Sequence, residues 1–240
     1  MMAGGAWIEA AGRAVLRLRW LALPPACRAC GDLLEPLAGP RPGFPYLCPA
    51  CHAALPWRSE SFAPLSGGPL DGMWAAWRYE DPVRRWIWAL KYGRRDGWAV
   101  CLGALTARLG AAPAPGPTWD VIAPVPLHRR RLRERGFNQS LLLAHHWRAG
   151  RAAAGLPVPK LAAGALARTR HTRPQMELGA SERQANVAGA FTLAGQGGVR
   201  GARVLLVDDV MTTGATLNEC ARALKAGGAA SVDALVLAKA

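Results

Sequence analysis

The chain has 240 residues, 51% of them hydrophobic, and its 30 Lys and Arg against 16 Asp and Glu give a formal net charge of +14. That apolar content excludes a disordered chain and suffices for one sizeable domain with a small appendage. No apolar run approaches the ~20 residues of a membrane span, and the positive charge suits a polyanion, a phosphorylated substrate or an acidic membrane surface as readily as a solvated Arg-rich face.

The N-terminal stretch "WIEAAGRAVLRLRWLALPPAC" is interrupted by Arg13, Arg17 and Arg19, and Pro24-Pro25 precede its Cys. Ile8, Ala11, Val15 and Leu18 mark one helical face, so the expectation is an amphipathic surface helix stopped by the prolines, no secretory signal, no transmembrane segment and a cytoplasmic protein. Four cysteines follow, Cys27 and Cys30 in "CRAC", Cys48 and Cys51 in "CPAC". Each two-residue spacer lets both thiolates of a pair face one ion, and two such pairs close a tetrahedral shell. A structural Zn2+ is expected, in a small ribbon-like module rich in turns. Two disulfides are the alternative, which a reducing compartment disfavours. His52 is adjacent and is read as a surface neighbour. Cys101 and Cys220 have no partner at metal spacing, and Cys220 shares a helical face with Leu217 and Leu224.

A linker-like "APLSGGPLDG" separates this module from the rest, giving expected domains of 1–62 and 63–240. "MWAAWRY" reads as a strand. "DPVRRWIWALKYG" reads as a helix with Asp81 as its N-cap and Pro82 at the first helical position. A further helix is expected from Trp98 to Leu109. Then strands and helices alternate: "WDVIAPVP", "GFNQSLLLAHHWRAG", a helix near "LGASERQANV", a short strand "GAFTL", "ARVLLVDD", "TTGATLNECARALKAGG" and "SVDALVLAKA". Apolar strands alternating with helices indicate an α/β fold with a parallel sheet. The continuous runs "VLLV" and "ALVL" are those of strands covered on both faces.

Asp208 and Asp209 end the strand "VLLV", and "TTGAT" turns into a helix. Ligands of open α/β sheets lie beyond the carboxyl ends of the strands. Thr213 is a suitable N-cap, and Gly214 has no side chain to block a close approach. Helix-start amides and three Thr hydroxyls form a cradle for phosphate, beside two carboxylates that accept from sugar hydroxyls. A sugar phosphate fits both, although a plain loop or a Mg2+ site would also use two acids.

The full stretch from Val204 to Thr216 resembles the phosphoribosyl-diphosphate (PRPP) motif of type I phosphoribosyltransferases. With "LKYGRR", "DVIAPVPLHRRRLRERGFNQS", "RTRHTRPQ" and "ERQANVAGAF" in this order, nearly the whole chain resembles the ComF family, which is linked to bacterial competence and DNA uptake. The resemblance implies a four-cysteine zinc module joined to a type I phosphoribosyltransferase-like domain that binds PRPP with Mg2+. It implies that Asp208 and Asp209 hold the ribose hydroxyls and support catalysis. Thr212, Thr213, Gly214, Ala215 and Thr216 would cradle the 5′-phosphate, and Pro124, Val125, Pro126 and Leu127 match the pyrophosphate loop. "RTRHTRPQ" matches a mobile covering loop. Arg129, Arg168, Arg170 and Arg173 are the candidate pyrophosphate contacts.

The implied reaction displaces pyrophosphate at the anomeric carbon through an oxocarbenium-like transition state. No residue identifies the acceptor. A non-catalytic PRPP sensor and a single-stranded-DNA-binding protein working with other competence proteins remain as alternatives. In the latter, Arg129, Arg130 and Arg131 and the aromatics of the zinc module would contact the strand.

Overall fold

The computed structural model describes residues 26–34, 46–56, 61–62, 68–93, 97–107, 118–172, 179–195 and 198–240. The expected N-terminal helix and Arg173 lie outside them. Among the described residues no helix is long and apolar enough to cross a membrane. The chain divides into two compact units, Met1–Leu55 and Pro56–Ala240.

In the smaller unit an isolated antiparallel bridge joins Ala26 to Leu33, and one short helix, α1 (Pro49–Ala53), follows Cys48. Its described buried apolar residues are Cys27, Leu34, Leu47 and Leu55. Among the described residues these four form the unit's core, and small units commonly depend on a staple such as a metal.

The larger unit is built on β1 (Ser61–Phe62), β2 (Gly72–Arg78), β3 (Val121–Pro124), β4 (Lys160–Leu161), β7 (Arg203–Met211) and β8 (Ser231–Lys239). They form one sheet in the order β1-β2-β8-β7-β3-β4. The five strands from β2 to β4 are parallel, and β1 is added antiparallel at one edge. β7 and β8 are central and almost wholly buried, as their unbroken apolar runs require.

Helices α2 (Val83–Tyr92), α3 (Gly97–Thr106), α5 (Gln139–Ala153) and α7 (Ala215–Ala226) supply the larger apolar faces. On α7, Leu217, Cys220, Ala221 and Leu224 are buried in the main core with Val204 and Leu206 of β7, so Cys220 is a core residue. Trp86 and Leu90 of α2 are likewise buried, and Trp86 stacks on Trp98 of α3.

One local expectation needs correction, and two elements stand apart from the expected alternation. Pro82, not Asp81, occupies the N-cap of α2 and makes no side-chain cap bond; the Asp81 carboxylate pairs instead with Arg84 and Arg85 at 3.1 and 3.5 Å. "RRRLRER" forms a short helix, α4 (Arg129–Arg135), capped by the His128 ring and closed by Gly136 at φ 83°. Its lack of apolar periodicity hides it from sequence. The strand in "GAFTL", β6 (Phe191–Leu193), does not join the main sheet. It pairs antiparallel with β5 (Leu166–Arg168) as a separate ribbon, beside α6 (Ala180–Val187) in the chain.

Candidate functional site

β3 stops at Pro124, paired with Val207, whereas β7 and β8 remain paired as far as Met211 and Lys239. Asp208 and Asp209 therefore lie within β7 and not at its end, because β8 carries the ladder past them. Their neighbour on the other edge is missing, and a cleft of about 890 Å³ opens there. Both acids line it, with Val125, Pro126 and Leu127 on one side and Thr212, Gly214, Ala215 and Thr216 on another. Pro124 is the last strand residue and does not line the cleft. The loop after it is fixed at both ends of Val125, whose N–H donates to Val207 O at 3.0 Å and whose carbonyl accepts from Asn138 Nδ2 at 3.1 Å. Asn138 also caps α5 through Ser140 N–H.

Successive strand residues point to opposite faces, so the adjacent acids meet different partners. Asp208 Oδ1 accepts from Ser140 Oγ at 2.9 Å and from the Asp209 N–H at 2.9 Å. Asp209, only 4% exposed, pairs through Oδ1 with Lys91 Nζ at 3.0 Å. Its other oxygen, Oδ2, is buried without a hydrogen-bond partner. Burial, followed by the neighbouring Asp209 charge, pushes the Asp208 carboxyl up to about 7. Burial would lower the Lys91 ammonium, but the Asp209 charge and hydrogen bond outweigh it and hold Lys91 above its ordinary value. The cleft floor thus holds two carboxylates, one ammonium and an acceptor oxygen without a donor. Buried acceptors are rarely left unpaired, so Asp209 Oδ2 is suited to a hydroxyl or a cation from a ligand.

Gly214, not Thr213, is the N-cap of α7, at φ 78°. This left-handed conformation suits glycine and turns the chain sharply out of β7. Thr213 Oγ1 still accepts from Ala215 N–H, at 3.5 Å, but Thr213 does not line the cleft. The first-turn amides of α7 are left without intrahelical acceptors, and the positive end of the helix dipole adds to their attraction for an anion.

Among the cations named from sequence, Arg168 lines the cleft. Its guanidinium lies over the Phe191 ring at 5.2 Å and donates to Thr172 Oγ1, leaving Nε buried and unpartnered. Arg129 does not line the cleft. Arg170 donates to the carbonyls of Asn186 and Ala188, at 3.2 and 2.6 Å, and does not line it either. Of the five Arg between Arg129 and Arg135, which the sequence also offers as cations, Arg131 and Arg135 line it, and the structure adds Lys91 and Arg183, with Tyr79, Tyr92 and Ser140. Lys91 and Ser140 lie within "LKYGRR" and "GFNQS", where nothing local marks their role. Only the sheet brings them to the acids, 68 residues separating Ser140 from Asp208.

In the smaller unit the sulfurs of Cys27, Cys30, Cys48 and Cys51 all lie within 4.8 Å of one another. Cys30 and Cys48 Sγ are 3.8 Å apart, close to the ~3.8 Å that a tetrahedral shell with bonds of about 2.3 Å imposes. Backbone N–H groups of Cys48 and Cys51 point at the sulfurs of Cys27 and Cys48, at 3.3 and 3.4 Å, and such bonds stabilise thiolate. All six cysteines are free of disulfides. His52 is not in the cluster. The donor set fits one tetrahedral, thiophilic ion.

A family model described as the phosphoribosyl transferase domain matches residues 148–240. The DNA utilization protein YhgH of Salmonella typhi is 34% identical over 204 residues, covering 80% of this chain and 84% of that protein. Competence protein F of Haemophilus influenzae is 38% identical over 125 residues, 50% of this chain and 51% of that protein. Among solved structures, the glutamine PRPP amidotransferase of B. subtilis is 21% identical with a TM-score of 0.37, covering 63% of this chain but only 30% of its own length. The kinship to YhgH runs through most of both chains, and the protein belongs to the ComF family, with a phosphoribosyltransferase-type domain beside a four-cysteine unit.

Proposed function

We propose that the cleft binds PRPP with Mg2+ and that the protein displaces pyrophosphate at the anomeric carbon. The observation that carries this reading is the buried Asp209 carboxylate, held by Lys91 through one oxygen and unpartnered at the other. A ribose hydroxyl supplies the missing donor. Asp208, beside it, accepts from the second hydroxyl. The 5′-phosphate sits on the loop from Thr212 to Thr216, where Gly214 lets the backbone approach closely.

The pyrophosphate then faces the loop from Val125 to Leu127, with Arg131 and Arg168 as cations for the charge that develops on departure. Asp208 and Asp209 lower the cost of positive charge on the ribose ring. Mg2+, when bound, would neutralise the pyrophosphate charge and would be held largely by substrate and water. In the smaller unit, Cys27, Cys30, Cys48 and Cys51 hold one structural Zn2+.

We assign the protein to DNA uptake or utilisation, following relatives named DNA utilization protein YhgH and Competence protein F, and to the cytoplasm, where thiols such as its four clustered cysteines stay reduced. Pyrophosphate release from Mg-PRPP, assayed across free bases, nucleotides and DNA ends, tests the reaction. Release with one acceptor class identifies the substrate. PRPP binding without release under any of them would make the cleft a sensor and remove the transferase reading.

A further inference from the structure

Three consecutive side chains at the start of α5 each hold a different wall of the cleft. Asn138 Nδ2 donates to the Val125 carbonyl at 3.1 Å and fixes the loop after β3. Gln139 Oε1 accepts from Arg135 Nη1 of α4 at 2.6 Å. Ser140 Oγ donates to Asp208 Oδ1 of β7 at 2.9 Å. Val125, Arg135 and Asp208 all line the cleft. Gln139 and Ser140 are 5% and 1% exposed, although such side chains mostly face water and are costly to bury without partners.

A Ser at a helix start commonly spends its hydroxyl on the backbone of the helix itself. Here Asn138 Oδ1 takes that task and accepts from the Ser140 N–H at 3.0 Å. The single hydroxyl proton of Ser140 therefore goes to Asp208. The Asp209 N–H, at 2.9 Å, ends on the same Oδ1. Both bonds to Asp208 thus fall on one oxygen, and Oδ2 is the one left for a ligand of the cleft. Asp209 shows the same division, with Lys91 on Oδ1 and no partner on Oδ2. One helix pins each acid, α5 the first and α2 the second.

From this juxtaposition we infer that Ser140 is a positioning residue, whose hydroxyl pins Asp208 through Oδ1 and reserves Oδ2 for a ribose hydroxyl, a role that rests on the reading of the cleft as a PRPP site. The bond also favours the charged carboxylate, the form that accepts at both oxygens and offsets positive charge on the ribose ring. Burial and then the Asp209 charge raise Asp208, whereas the Asp209 N–H, the Ser140 hydroxyl and the Lys91 charge lower it. Arg168 of β5 and Cys220 of α7 also interact with its charge. Ser140→Ala leaves all of these groups in place and removes only the hydroxyl.

Carbon-13 NMR of protein labelled at the Asp carboxyls follows the titration of Asp208 with no ligand present, its signal assigned by loss in Asp208→Asn. Ser140→Ala should titrate about one pH unit above wild type, and Ser140→Thr, which keeps the hydroxyl, should titrate with wild type. Calorimetry with Mg-PRPP from about pH 7 to pH 9 reads the consequence. At pH 7 Ser140→Ala should bind about fivefold more weakly, the ratio of charged carboxylate for midpoints near 7 and 8. By pH 9 the deficit should shrink below about twofold. An Asp208 midpoint that does not move in Ser140→Ala, or a loss of PRPP affinity by the same factor at every pH, would overturn the inference. Wild-type failure to bind PRPP with the midpoint shift present would overturn the PRPP reading while still supporting the hold of Ser140 on Asp208.

Discussion

Lys91 Nζ lies 3.0 Å from Asp209 Oδ1, tying helix α2 to the central strand β7 at the floor of the cleft. The Lys91 side chain is 21% exposed and that of Asp209 only 6%, so solvent screens this pair far less than a surface bridge. Removing one partner of such a pair leaves the other charge stranded. Lys91→Met should therefore lower unfolding free energy by about 3 kcal/mol, read by denaturant titration. Combined with Asp209→Asn the loss should shrink, because no charge is then stranded, and the double-mutant cycle should give a coupling above about 1 kcal/mol. Additive losses would show that the two side chains do not interact.

Asp208 titrates near 7, far above the ordinary carboxylate value of 3.8, because it is buried beside Asp209. Between about pH 4 and pH 7 the folded state therefore holds more protons than the unfolded state, and this group's contribution to stability falls as pH rises. Asp208→Asn mimics the protonated form and can keep the acceptor facing Ser140. It should be more stable than wild type at pH 8, by on the order of 1–2 kcal/mol. The advantage should narrow as pH falls through 7 and vanish near pH 4. Thermal melts across that range decide, and an advantage that grows towards acid would have the wrong sign.

The parts of this architecture written locally are the parts legible in sequence. The runs in β7 and β8 announce buried strands, the paired Cys-x-x-Cys spacing announces a thiolate cluster, and the turn from Thr212 to Thr216 announces a helix start. Asp208 and Asp209 do not end their strand, because strand length is set by a neighbour: β8 holds β7 in the ladder through Met211. Lys91 and Ser140 carry no local signature of their role, since the sheet order alone brings α2 and the start of α5 to the acids. Arg170 illustrates the opposite case. An Arg-rich segment gives no sign of which guanidinium is spent on backbone carbonyls, as this one is on Asn186 and Ala188.

Zinc analysis of the purified protein should find about one ion per chain. Cys27→Ser and Cys51→Ser should each lose it and unfold the smaller unit, seen as new protease cleavage before Leu55. The larger unit has its own core and should retain its thermal transition. Ordered, metal-free wild-type protein would contradict the assignment.

Gly214 holds φ 78° at the start of α7. An Ala there meets the left-handed penalty, costing about 1–2 kcal/mol of stability, and a β-branched Val costs more. Gly214→Val should also obstruct the loop, so its loss of PRPP binding should exceed its loss of stability. Retention of wild-type PRPP affinity in a folded Gly214→Val protein would move the phosphate elsewhere.

The proposed role of Asp209 as the ribose-binding carboxylate is tested most directly by calorimetric titration with PRPP in the presence of Mg2+. Wild type should bind saturably. Asp209→Asn, confirmed as folded by circular dichroism, should bind about 10- to 100-fold more weakly, the worth of one charge-assisted hydrogen bond. Absence of binding by wild type, or equal affinity in the two proteins, would contradict the central claim.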